Sequence, residues 1–213
     1  MYMITIMLYK VCHLSKKEEI TMQQHYLTLQ AMADQASISS TEWEWFVHAT
    51  SVRSIPSGVT IVQSDEPVQH AYFCTQGLFR LYYILPDGRE YNVAFTLEND
   101  FATSYGAMIT GSTSKYTIQA IENSIVIEIP YSTLQNLMDR SHNWERFVRT
   151  AIERLYIRKE ERERELLYLS ALERYHAFLV KYPGLEQRIP QYHIASYLGI
   201  SPVSLSRILH ENH

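Results

Sequence analysis

Cysteine is nearly absent from this chain: Cys12 and Cys74 are the only two in 213 residues. That excludes a disulfide framework and a cysteine-rich metal site, and it suits a reducing cytoplasm. An iron–sulfur cluster, which needs about four cysteinyl ligands, is excluded as well. Histidines are scattered. Val52–Pro130 holds only His70 and no His-x-His, so a metal-dependent barrel enzyme lacks its clustered ligands. His48 and His70 leave haem ligation as an open reading, although a lone histidine is more often a surface or core residue. No Ser/His/Asp or Cys/His arrangement stands out, so the chain is expected not to be an enzyme, and no cofactor is assignable. Long apolar runs are also missing. Met1–Leu14 is short, carries Lys10 and lacks a basic front, which fits neither a membrane span nor a signal peptide. Met22 is an alternative start, which makes 1–22 a dispensable N-terminal extension.

What is present is a soluble, globular composition, 46% hydrophobic and 20% charged. The net charge of −4 is unevenly spread. Residues 1–130 hold seven Lys and Arg against thirteen Asp and Glu, whereas residues 131–213 hold twelve against ten. The acidic excess lies away from the C-terminal end.

Between Val52 and Pro130 the sequence reads as short strands and turns. The β-branched run Val59–Val62 sits between the turn clusters Ile55–Gly58 and Ser64–Pro67. Ala71–Thr75, Leu78–Leu85, Tyr91–Leu97, Tyr116–Ile121 and Ile125–Ile129 follow, with Pro86-Asp87-Gly88 as a hairpin turn. Short strands at near-regular spacing predict a β-sandwich or jelly roll. The pattern then turns helical, with Tyr131–Arg140 short and Asn143–Leu169 long. Phe147, Ala151, Leu155, Leu166 and Leu169 recur at helical spacing in the long segment. A narrow apolar stripe on a long helix predicts packing against a twin, hence a homodimer. The mixed run Glu160–Glu165 reads as a solvated face with i,i+4 pairs. Ser170-Ala171 is the expected hinge, and Ala171–Tyr182 a further helix ended by Pro183-Gly184.

The most informative stretch is Gln191–Ile208. Ile194, Ala195 and Leu198 form one apolar face, and Gly199 stands where a first helix must stop. Ser201 is placed to cap a second helix, Pro202 suits its first position, and Leu205 and Ile208 turn inward. These offsets make the DNA-binding helix-turn-helix pattern, with a bare αα-hairpin as the competing reading. On the helix from Pro202, Val203, Ser204 and Arg207 face outward. Arg207 is the candidate for a bidentate guanine contact, with a phosphate clamp as its alternative. Ser201 doubles as cap and phosphate donor, and Tyr192 and His193 are candidate phosphate contacts.

A β-roll, a long helix and a terminal helix-turn-helix, in that order, resemble the Crp/Fnr superfamily from about Gln23 onward. The resemblance is closest in Ile194–Ile200, Pro202 and Leu205–Arg207. Tyr72-Phe73, Gly77-Leu78, Asp87–Glu90 and Ser114–Ala120 support it. It implies an α+β fold: an N-terminal β-roll (double-stranded β-helix or jelly roll), a long central dimerisation helix and a C-terminal helix-turn-helix domain. The expected domains are 1–22 extension, 23–142 cyclic-nucleotide-binding-like sensor, 143–169 dimerisation helix and 170–213 DNA-binding domain. The implied function is a bacterial, cytoplasmic, homodimeric transcription regulator. Its implied partners are double-stranded DNA with a palindromic operator, RNA polymerase and a small-molecule effector, with no membrane. The alternative is a cyclic-nucleotide-fold signalling or interaction protein that no longer binds DNA.

Nucleotide-binding members carry a Gly-Glu pair and an Arg-Ser pair for the ribose and cyclic phosphate. Here Asn99–Met108 has no Gly-Glu, and Ser114-Lys115-Tyr116 stands where Arg-Ser is expected. Lysine lacks the bidentate fork of arginine, so cAMP and cGMP are not expected as effectors. Ser104, Tyr105 and Lys115 are candidates to surround another anion, with Lys115 as an ordinary surface residue the competing reading. Related regulators often have Glu where Val203 stands. Valine can meet only a thymine methyl, so the operator is expected to differ.

Overall fold

The computed structural model describes residues 16–211. Cys12, His213 and most of the expected extension 1–22 lie outside the described residues. A first helix, α1 (Lys16–Gln35), runs through Met22 and leads into α2 (Ser40–His48). A capping box starts α2: the Ser39 hydroxyl accepts from the Glu42 N–H, and the Glu42 carboxylate accepts from the Ser39 N–H at 3.0 Å.

Eight strands follow: β1 (Ser51–Ile55), β2 (Thr60–Val62), β3 (His70–Gln76), β4 (Phe79–Ile84), β5 (Glu90–Thr96), β6 (Asp100–Ala102), β7 (Thr117–Ala120) and β8 (Ser124–Pro130). A short helix, α3 (Tyr105–Thr110), separates β6 from β7. The strands form two four-stranded antiparallel sheets, ordered β1-β8-β3-β6 and β2-β7-β4-β5. Their facing sides share one apolar filling, with Tyr72, Cys74 and Val126 from the first sheet against Phe79, Leu81 and Ile118 from the second. The β4–β5 hairpin closes where Gly88 takes φ +82°, and its N–H donates to Leu85 O at 2.8 Å. At Gly77 the sheets come too close for a side chain: a Cβ there would lie 2.2 Å from Ser124 Oγ. These strands match the expected ones; β1 and β6 are additions.

The helical half begins with α4 (Tyr131–Arg140) and α5 (His142–Tyr168). Together with α1 and α2 they cover the outer side of the first sheet, around the fully buried Trp144. Phe147 belongs to this cluster, and Ala151 and Leu155 face the roll. The expected dimer stripe therefore does another job in its N-terminal half, packing within the subunit. Tyr156, Ile157, Leu166, Leu167 and Tyr168 are the exposed large apolar side chains on α5, so of the expected stripe on this helix only Leu166 is among them. The run Glu160–Glu165 departs from expectation too. Arg162 and Glu165 are buried, held by their own ion pair at 3.3 Å.

After α5 come α6 (Ala171–Lys181), capped by a second box at Ser170 and Glu173, a 3-10 turn (Leu185–Gln187), α7 (Gln191–Leu198) and α8 (Pro202–Glu211). Their core of Phe178, Tyr182, Leu185, Ile194, Tyr197, Leu198 and Leu205 is continuous with Leu78 and Phe95 of the second sheet. The C-terminal domain is thus docked on the roll. Edge strand β5 leaves backbone groups unpaired, and α7 satisfies two of them. Ser196 Oγ accepts from Asn92 N–H at 2.9 Å and donates to Glu90 O at 3.0 Å. Arg188 closes the seam, reaching Glu98 at 2.8 Å and Glu122 at 2.7 Å.

Candidate functional site

The first candidate surface is built by α7, the turn and α8. α7 ends at Gly199, which adopts φ 69°, and the Ile200 N–H returns to Ala195 O at 3.0 Å. This is a glycine-terminated cap that only a residue tolerant of positive φ makes without strain. The same glycine lets Tyr91 approach, since a Cβ would stand 3.1 Å from the Tyr91 hydroxyl. Ser201 Oγ then accepts from the Ser204 N–H at 3.1 Å, capping α8, and Pro202 occupies the first turn. Leu205 is fully buried, which fixes the roll of α8 about its axis. Val203, 63% exposed, and Arg207 and His210 consequently share the outward face, three to four residues apart. Ser204 is half-buried beside them, and Tyr192 is exposed near the start of α7.

His193 is the exception. It is only 6% exposed, and its Nδ1 accepts from the Asn92 side-chain amide at 3.1 Å. Burial, aided by the nearby Arg80 charge, pushes its pKa down to about 4. The expectation that His193 touches phosphate is therefore corrected: it is a neutral docking residue between α7 and β5.

The second candidate site is a cavity of about 690 Å³ between the roll and α5. Leu81, Tyr83, Val93 and Phe95 of the second sheet form one wall, and the α5 stretch from Ala151 to Arg162 faces them. Lys181, Tyr182 and Tyr197 close the end, so the C-terminal domain contributes to the lining. Arg158 makes a two-pronged pair with Asp100. Arg162 stacks on the Tyr197 ring at 3.9 Å and donates to Tyr197 O.

The expected effector residues do not gather there. Ser104 is buried at the start of α3, and Tyr105 packs on the α1/α2 cluster. Lys115 is 72% exposed, with its ammonium 3.5 Å from Asp65 and 3.4 Å from Thr113. The three-residue anion site is corrected on this ground, since a turn carboxylate already holds the lysine at the surface. The arginines that line the cavity, and that the sequence reading did not single out, are Arg154, Arg158 and Arg162. Their i, i+4, i+8 spacing was a readable sign that they share a helix face. Among the described residues, no group of three or more His, Cys, Asp or Glu is placed to hold a metal ion. Among them, too, no helix is long and apolar enough to cross a membrane.

Known proteins bear on this architecture. Residues 52–141 match the cyclic nucleotide-binding domain family. The fumarate nitrate reduction regulatory protein of Klebsiella oxytoca is 26% identical over 175 residues, covering 74% of this chain and 66% of the relative. Its counterpart in Vibrio cholerae serotype O1 is 28% identical over 172 residues, with the same coverage. The chain thus spans slightly under two thirds of these curated relatives. The chain is similar to these regulators. Solved structures share its fold. FixK2 from Bradyrhizobium japonicum has a TM-score of 0.69 at 22% identity, covering 76% of this chain and 83% of that one. CLP of Xanthomonas campestris, described as a c-di-GMP responsive global regulator, has a TM-score of 0.65 at 20% identity, covering 81% and 91%. A β-roll, a long helix and a terminal pair of short helices, in that order, is the architecture the sequence predicted.

Proposed function

We propose that this chain is a sequence-specific, DNA-binding transcription regulator of the Crp/Fnr type, acting in the cytoplasm as a homodimer on a palindromic operator. RNA polymerase is its partner in transcription, and it responds to an effector other than cAMP or to none. The observation that carries the reading is the outward face of α8. A properly capped helix, pinned by the buried Leu205, holds Val203 and Arg207 in the open, where a major groove can receive them. Arg207 reads guanine, Val203 meets a thymine methyl, and Ser201, Ser204 and Tyr192 position the backbone. The exposed apolar residues of α5 supply the dimer seam, bringing two α8 helices to two half-sites. The cavity of about 690 Å³ between the roll and α5 supports a sensor role.

The test is a mobility shift on genomic fragments flanking the chain's own gene, run over a salt series. Binding that weakens steeply with salt supports the reading. Arg207→Ala should keep the dimer and lose about 1–3 kcal/mol of discrimination at one base pair per half-site. Unchanged operator preference in that variant would remove Arg207 from its role. No binding to any fragment would favour the signalling or interaction protein instead. Calorimetry that finds micromolar cAMP affinity would overturn the effector statement.

A further inference from the structure

The cavity between the roll and α5 is graded along its length. At the Ala151 end it adjoins a second hollow of about 70 Å³, and Phe101, Thr103, Ala151 and Leu155 line both. That hollow is lined by Leu29, Met108, Ile129, Leu134 and Val148, and none of its lining residues is charged. At the other end the lining turns cationic. Arg158, Arg162 and Lys181 lie there, with Arg154 and Lys159 at the exposed rim. Asp100 and Glu161 are the only acids in the lining. Ala151 to Arg162 spans twelve residues of α5, about 16 Å of rise.

The cationic end also holds donors without acceptors. Arg162 Nε, Lys181 Nζ and the Tyr197 hydroxyl are buried, and none has a hydrogen bond among the described residues. Lys181 stands 3.7 Å from Glu165 and 3.9 Å from Glu161, close enough for charge attraction but too far for a hydrogen bond. Buried donors left unmade cost about 1–3 kcal/mol each, and more when charged, so a fixed acceptor at this end is favoured. Asp100, Glu161 and Glu165 already offset Arg158, Arg162 and Lys181, which leaves the excess positive charge on Arg154 and Lys159 at the rim. With the buried end itself so nearly balanced, a single negative charge fits there better than a phosphate dianion does.

We infer that this cavity binds a medium-chain aliphatic monocarboxylate, with its alkyl end in the hollow beside Ala151 and its carboxylate among Arg158, Arg162 and Lys181. The inference rests on the regulator reading and names its effector class. Two of the groups at the carboxylate end, Lys181 and Tyr197, belong to the C-terminal domain, whereas Arg158 and Arg162 belong to α5. The bound acid therefore bridges the long helix and the DNA-reading unit, and its binding is coupled to their docking.

The test is calorimetry on the full chain with decanoate, hexanoate, decan-1-ol, cAMP and inorganic phosphate. Decanoate should bind at least about tenfold more tightly than decan-1-ol, since a charge-assisted hydrogen bond contributes roughly that factor. Phosphate and cAMP should give no signal. Arg158→Gln should bring decanoate and decan-1-ol together. Ala151→Leu, which occupies the mouth of the hollow, should reduce the preference for decanoate over hexanoate. If either variant fails to fold, judged by circular dichroism, the other still decides. Equal binding of acid and alcohol by the wild type, or no decanoate binding at millimolar concentration, overturns the inference. A mobility shift run in parallel separates the two failures. DNA binding without decanoate binding sinks the ligand class alone, and decanoate binding without DNA binding sinks the regulator reading alone.

Discussion

At His193 and Arg207, fourteen positions apart, the same domain uses polar side chains in opposite ways. Arg207 is exposed on α8, as the proposed base contact requires, whereas His193 is buried against Asn92. Because its folded pKa lies near 4 while the unfolded value is near 6.5, the unfolded chain binds more protons between those limits. Stability at His193 is therefore complete above about pH 6.5 and declines as pH falls toward 4. Thermal melts from pH 7 to pH 4.5 should show a falling Tm, and His193→Gln should flatten part of that slope. An unaltered slope in the variant would place the titration elsewhere. Gly77 offers a second residue-level test. Its φ of +100° and the 2.2 Å approach to Ser124 leave no room for a methyl group. Gly77→Ala should cost about 1–3 kcal/mol, read as a lowered denaturation midpoint. Residue roles were the least legible part of the sequence. Nothing in Tyr192-His193 says which of the two faces β5, because that depends on a strand about a hundred residues earlier.

Elements were easier to read, for physical reasons that differ among them. The β4–β5 hairpin carries its own turn chemistry at Pro86–Gly88, and α7–α8 carries its stop and start signals at Gly199 and Ser201. By contrast β1 buries only Ile55 at its inner end, so it has no alternating pattern to betray it, and β6 is three residues long. The Glu160–Glu165 run misled because charge usually means solvent. Here Arg162 is drawn inward by the Tyr197 ring and carbonyl, which the local sequence cannot reveal. The seam between domains follows from such contacts, and Arg188 tests it. Removing its guanidinium leaves Glu98 and Glu122 without their shared partner. Because the group is about a third exposed, Arg188→Ala should cost only on the order of 1 kcal/mol globally. Its larger effect should be local, as faster amide exchange in α6, α7 and α8 with the β-roll unchanged. Uniform exchange across both regions would argue against a distinct docking seam.

For the whole molecule, the roll, the long helix and the reading unit form a chain of contacts in which one cavity touches all three. The proposed dimer would supply the symmetry that a palindromic operator requires. The exposed Tyr156, Ile157, Leu167 and Tyr168 of α5 are the surface that a twin would cover. Ile157→Glu should shift the chain from dimer to monomer by light scattering and weaken operator binding in step. A dimer that survives this change would place the seam on another face. The order of domains was legible because each has its own periodicity. The docking of the reading unit on the roll was not, because its contacts join residues 77–98 to residues 182–198.

The most direct test of the regulator reading is selection of bound sequences from a random pool of duplex DNA, followed by sequencing. The account predicts an enriched inverted repeat whose half-sites are about one helical turn, or a small multiple of it, apart. It predicts further that Arg207→Ala loses the preference at one base pair in each half-site. A pool that shows no enrichment, or an asymmetric single site, would contradict a dimeric reader built on α8.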